Sequence, residues 1–161
     1  PIGKWDVSRV TDMSRIFNNL QYFNYAISEW DVSRVISMRE MFDHARNFNQ
    51  DLSKWDTSRV TNMFAMFRHA HSFNQDLSDW DVSLVAEMQW MFAEAISFNQ
   101  DLSDWDVSRV IDMRGMFQGA KSFRQTLCGA AWVNSNASKV DMFTLSPGSI
   151  SDTVCGAWMF W

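Results

Sequence analysis

The chain has 161 residues and a mass of 18.8 kDa, the size of one ordinary domain, which argues against an enzyme with separate cofactor and substrate lobes. Lys and Arg number 14 against 19 Asp and Glu, a formal charge of -5 that argues against a general nucleic-acid binder held by phosphate contacts. Apolar residues make up 47% and charged residues 20%, so the chain can bury a core, and nine Trp, 13 Phe and 11 Met against two Pro and six Gly point to one short unit copied many times.

The chain opens at Pro1, inside a unit and without an initiator Met, and so reads as a fragment or a processed form. Trp5, Trp30, Trp55, Trp80 and Trp105 follow at intervals of 25 residues without insertion or deletion. The unit is W-D-V-S-x-V-x-x-M-x-x-M-F-x-x-A-x-x-F-N-Q-D-L-S-x, best kept from Trp55 to Asp104. Val35, Met38, Met41, Phe42 and Ala45 fall at spacings of three and four, which predicts one short amphipathic helix per unit. Asp31 and Ser33, repeated as Asp56/Ser58, Asp81/Ser83 and Asp106/Ser108, are its expected N-terminal caps. Past Ala45 the helical period ends, and Leu52 to Trp55 reads as a short extended segment.

A unit of this size cannot close its own core, so copies are expected to stack like on like. The prediction is an α/β fold, a right-handed solenoid of helix–strand repeats with short parallel strands about 4.8 Å apart; the hand is taken from the rule for parallel crossovers. Residues 1–127 would hold five regular repeats, and residues 128–161 a divergent rung and cap. The Met13/Met38/Met63/Met88/Met113 and Phe17/Phe42/Phe67/Phe92/Phe117 columns read as core packing, not as a heme or copper site. No apolar run approaches the 18 or so residues of a membrane span.

The segments W-D-V-S-x-V-x-x-M-x-x-M-F and F-N-Q-D-L-S-x-W, carried by Asp31 to Asn49, Asp56 to Asn74 and Asp81 to Asn99, resemble the BspA-like surface-protein repeats, the lipoprotein repeats of Mycoplasma and Listeria that are related to leucine-rich repeats. The resemblance covers roughly residues 1 to 127. It implies a leucine-rich-repeat type of α/β solenoid, a secreted or cell-surface setting, and adhesion or protein binding, with no catalytic residues to carry over.

At the C-terminal end the register reaches Leu127 and Cys128, after which two residues are inserted before the next tryptophan, Trp132. Ser138-Lys-Val140 and Met142-Phe143 echo the unit at altered spacing, so one more degenerate rung is expected there. Pro147-Gly148 reads as a turn, and Ala157 to Trp161 as an apolar tail that either packs on the last rung or faces a partner. Cys128 stands in a serine column, and Cys155 follows Val154 as Cys128 follows Leu127. Equivalent positions on adjacent rungs are within disulfide reach, so a bridge is predicted, and with it an oxidising compartment; the alternative is two buried thiols.

Catalytic constellations are not apparent. The well-repeated serines are explained by capping, there is no Gly-x-Ser-x-Gly or phosphate-cradling loop, and carboxylate pairs copied on successive rungs lack the asymmetry of an acid and a base. His44 and His69 share a column with Glu94 next, but the column is not kept at Asn19 or Gly119, and ordinary exposed side chains are the expectation rather than a metal site. Asp51, Asp76 and Asp101 stack on three rungs; turn capping is the first reading of this ladder, and Ca²⁺ or a cationic partner the others. Asn24, Asn49, Asn74 and Asn99 read as an amide ladder to turn carbonyls. The expected function is a non-catalytic extracellular recognition or adhesion module, without cofactor, that binds a protein or cell-surface ligand through Gln50, Gln75, Gln100, Asp51, Asp76, Asp101, Lys54, Asp79 and Asp104. The alternative is a structural subunit that stacks end to end or bridges a larger complex.

Overall fold

A computed structural model describes residues 1–156. The chain rises through stacked rungs, the first five beginning at Trp5, Trp30, Trp55, Trp80 and Trp105, and a ladder of single-residue parallel bridges joins them: Asp12 to Ser37, Ser37 to Asn62, Asn62 to Glu87, Glu87 to Asp112 and Asp112 to Ser138. The predicted α/β solenoid of helix–strand repeats does not form. Among the described residues regular elements are limited to a 3-10 turn at Ile2–Lys4, strand β1 (Thr126–Leu127), helix α1 (Ala130–Val133) and strand β2 (Ser149–Ile150). Neither the helix expected over Val35 to Ala45 nor the strand expected over Leu52 to Trp55 is present.

What replaces the helix is a chain of tight turns. In the second rung Met41 N–H donates to the Met38 carbonyl, Asp43 to Glu40, Ala45 to Phe42 and Phe48 to Ala45. The N–H groups of the alternate residues leave the rung altogether: Met38, Glu40, Phe42 and His44 donate to the carbonyls of Asn62, Phe64, Met66 and Arg68 in the next, at 3.0, 2.8, 2.9 and 2.8 Å. The division follows from backbone sign. Glu40 and His44 have φ of +53° and +60°, and a left-handed residue every fourth position rotates the next peptide out of the helical direction, so no i→i−4 ladder can propagate. The same two positions are left-handed in every rung, as Arg15/Asn19, Ala65/His69, Trp90/Glu94, Gly115/Gly119 and Asp141/Leu145.

The helical spacing misled for a geometric reason. In a run of i→i+3 turns the inward side chains also recur at three and four residues, so Val35, Met38, Met41, Phe42 and Ala45 are all fully buried without a helix. The expected strand is a further turn, closed by Trp55 N–H on the Leu52 carbonyl at 3.1 Å and by Ser53 N–H on Asp51 Oδ1 at 2.9 Å.

The core consists of aromatic and thioether columns. Phe42, Phe67, Phe92 and Phe117 stack with ring centroids 5.5 to 5.6 Å apart, and Phe48, Phe73, Phe98 and Phe123 stack at 5.9 to 6.0 Å. Each buried tryptophan ties levels together through its indole N–H: Trp55 donates to the Ile27 carbonyl, Trp80 to Leu52 and Trp105 to Leu77. Burial in such a stack depends on neighbours, since no rung encloses its own side chains.

The two-residue insertion is taken up in α1. Trp132 is fully buried there and donates to the Leu102 carbonyl at 2.7 Å across 30 residues, where the regular rungs span 28. Gly129 opens this helix against the chain below, because a Cβ would collide with the Ser103 carbonyl. The chain then retraces the unit: Met113, Gly115, Phe117 and Gly119 donate to the carbonyls of Ser138, Val140, Met142 and Thr144. Strand β2 pairs in parallel with β1, Thr126 against Ser149 and Leu127 against Ile150. Cys128 and Cys155 form a disulfide with Cα atoms 5.1 Å apart, but Leu127 pairs with Ile150 rather than Val154, so the bridge is reached across a shifted register. The apolar tail from Ala157 to Trp161 lies outside the described residues.

Candidate functional site

The polar columns singled out in the sequence are engaged by the scaffold. Asn24 Oδ1 accepts the N–H of Asn49, and the Gln50 amide donates to both the Oδ1 and the carbonyl of Asn24. The pattern recurs through Asn49 with Asn74 and Gln75, Asn74 with Asn99 and Gln100, and Asn99 with Arg124 and Gln125. The asparagine thus accepts through its side chain, and the bonds to carbonyls come from glutamine. Asp51, Asp76 and Asp101 are exposed, and each accepts the N–H of the serine two residues on, at 2.9 Å. That bond and the Ser53 hydroxyl hold the Asp51 carboxyl below the usual range. Lys54 pairs with Glu29 at 3.0 Å, while Asp79 and Asp104 are exposed.

The second acidic column behaves alike. Asp6, Asp31 and Asp106 have carboxyls below the usual range, first because of the Ser8, Ser33 and Ser108 side chains and then the same serines' N–H groups. Asp31 and Asp106 are among the residues expected as helix caps; they cap turns.

A charged cluster under the second and third rungs escaped sequence reading. Glu40 and Asp43 are buried, at 7% and 2% exposure. Arg15 bonds Glu40 at 2.5 Å with Arg39 at 3.0 Å, and Arg68 and His44 bond Asp43 at 2.7 and 2.8 Å. The available signal was opposite charge at a separation of 25 residues, Arg15 with Glu40 and Asp43 with Arg68. His44 and His69 lie with ring centroids 4.3 Å apart, and burial pushes the His69 and His71 imidazoles below their ordinary value. Among the described residues no group of three or more His, Cys, Asp or Glu is placed to hold a metal ion, and no helix is long and apolar enough to cross a membrane.

A concave apolar surface lies on the N-terminal face of the first rung. A cavity of about 820 Å³ opens there between Pro1–Trp5 and Ile16, Leu20, Phe23 and Tyr25. Trp5 is 63% exposed, whereas Trp30, Trp55, Trp80 and Trp105 are at most 5% exposed. The lining is mostly apolar and also includes Lys4, Ser28 and Glu29.

Comparison with curated proteins and with solved structures returns no match. A family model described as "Mycoplasma protein of unknown function, DUF285" matches residues 1–87 and 54–153, overlapping stretches as a repeat produces. The chain belongs to this repeat family.

Proposed function

We propose that the chain is a non-catalytic protein-binding module of an extracellular or surface-displayed repeat protein, similar in role to BspA-like surface repeats, and that it engages its partner through the Gln50/Gln75/Gln100, Asp51/Asp76/Asp101 and Lys54/Asp79/Asp104 columns. The observation that carries this reading is the exposure of Asp51, Lys54, Asp76, Asp79, Asp101 and Asp104 at matching positions on successive rungs. Varied side chains on a fixed repeated scaffold are how repeat proteins recognise partners. The Gln50/Gln75/Gln100 and Asp51/Asp76/Asp101 columns are held in place by rung-to-rung and turn bonds, which fixes the geometry a partner would meet. The Cys128–Cys155 bridge favours an oxidising compartment, in keeping with display outside the cell.

The test uses beads coated with the oxidised protein on cell monolayers. Retention should exceed that of albumin-coated beads, fall when the monolayer is treated with protease, and fall again with Asp79→Lys and Asp104→Lys together. Retention equal to the albumin control refutes the reading.

A further inference from the structure

Polar side chains along the stack are for the most part engaged by the scaffold, and one half-buried group of them is not. Trp30, Trp55, Trp80, Trp105 and Trp132 each donate an indole N–H to a backbone carbonyl. By contrast, the side chains of His69, Trp90, Glu94 and Gln118 make no hydrogen bond or ion pair among the described residues, yet all four are half-buried and line one cavity of about 310 Å³ in the middle of the array.

The cavity follows from a local change in side-chain size. Trp90 and Glu94 hold the two left-handed positions of the fourth rung, at φ of +53° and +56°, and one level on the same positions are Gly115 and Gly119. A Cβ on Gly115 would collide with the Trp90 ring, and one on Gly119 with the Glu94 carboxylate, so both large side chains lean into space that only glycine leaves. Arg68 and His69 of the third rung form the facing wall, with the buried Ala93 between.

Charge and size narrow what could enter. The Arg68 guanidinium is already held by Asp43 at 2.7 Å, and burial, then the neighbouring His44, keeps the His69 imidazole below its ordinary value and so neutral near pH 7. No unpaired cation is left to grip an anion, and an ammonium group would have to sit beside Arg68. What remains is an indole, a carboxylate acceptor and an amide that both donates and accepts, a set that matches hydroxyl groups around an apolar ring face. The volume is at the small end for ligand pockets, which run from about 300 to 1,000 Å³, and suits a single ring.

We propose that this cavity binds one ring of a neutral sugar, with Trp90 against its C–H face, Glu94 accepting from its hydroxyls and Gln118 completing the bonds. The site is independent of the polar columns assigned to a protein partner.

The experiment follows the indole N–H resonances of the isotope-labelled, oxidised chain while methyl β-galactoside, methyl α-mannoside and N-acetylglucosamine are added in turn, with choline as a separate arm. Trp90→Phe assigns the Trp90 signal. Saturable displacement of that signal by at least one of the sugars is expected, at concentrations of about 1 mM or above. It should be weakened about tenfold or more by Glu94→Ala, weakened by Gln118→Ala, and unchanged by Leu145→Arg. No displacement by any of these sugars, undiminished displacement in both cavity variants, or displacement by choline alone overturns the proposal. Each of those results leaves the protein-binding reading to the bead assay, which does not involve this cavity.

Discussion

A left-handed residue costs a non-glycine side chain roughly 1 to 2 kcal/mol, and this chain bears it at Glu40, His44, Ala65, His69, Trp90 and Glu94. The offset is the N–H that each of these residues delivers to the next rung. Only the fifth rung uses glycine at both positions, at φ of +59° and +68°, and there the lack of a side chain also makes room, since a Cβ on Gly115 would press on the Trp90 ring. Gly115→Ala should therefore cost about 1 to 2 kcal/mol in chemical denaturation, and Gly129→Ala more, because its obstacle is the rigid Ser103 carbonyl. Equal stability of Gly129→Ala and the parent would show the approach to be looser than described. The capping aspartates give a pH dependence. Asp6, Asp31, Asp51 and Asp106 have folded-state carboxyls below the ordinary value, so their contribution is present above the unfolded value of about 3.9 and is lost as pH falls through the folded ones. The denaturation midpoint should hold from neutral pH into that range and drop below it. Replacing Asp6, Asp31 and Asp106 together by Asn should flatten the acid limb, and an unaltered limb would count against the capping account.

At the scale of the rung, the interaction unit is a level plus its neighbour. Trp55→Ala removes a buried ring and leaves the Ile27 carbonyl without its indole donor, and Phe67→Ala opens a gap in a continuous stack. Each should cost about 3 to 5 kcal/mol. Trp5→Ala, at a position 63% exposed, should cost far less, and Lys54→Ala should be near neutral. A Trp55→Ala midpoint matching the parent would refute the column description. The period of 25 residues, the inward residues and the stacking of like on like were legible in the sequence, because a buried Met, Phe or Trp is written at the same place in each unit. The local backbone was not. The choice between a helix and a run of turns depends on φ at Glu40 and His44, and residues such as Glu, His, Ala and Trp do not advertise a left-handed conformation; only Gly115 and Gly119 do.

Over the whole molecule, the disulfide holds the irregular last rung to the regular stack. Cys128 and Cys155 enclose a separation of 27 residues, and loop-closure entropy assigns such a bridge about 3 to 4 kcal/mol. Reduction, or Cys128→Ser with Cys155→Ser, should lower the thermal midpoint. A midpoint indifferent to reductant would mean that β2 and α1 hold the last rung unaided. Calcium is expected to act weakly, since the Oδ1 atoms of Asp51, Asp76 and Asp101 already accept serine N–H groups. A melting temperature raised by more than about 10 °C on adding Ca²⁺, and reversed by EDTA, would instead assign the ladder to the ion. The bonds between levels are unequal in sense: in each of the five regular rungs four N–H groups point toward the C-terminal end, and fewer backbone N–H groups, such as Ile36 to Thr11 and Asn47 to Gln21, point the other way. The peptide dipoles of the larger set add along the stacking axis, and those of the smaller set cancel part of the sum. The molecule therefore has an electronegative pole at its Trp5 end and an electropositive one at its Leu145 end, and each level added between them lengthens the axis without reversing its polarity.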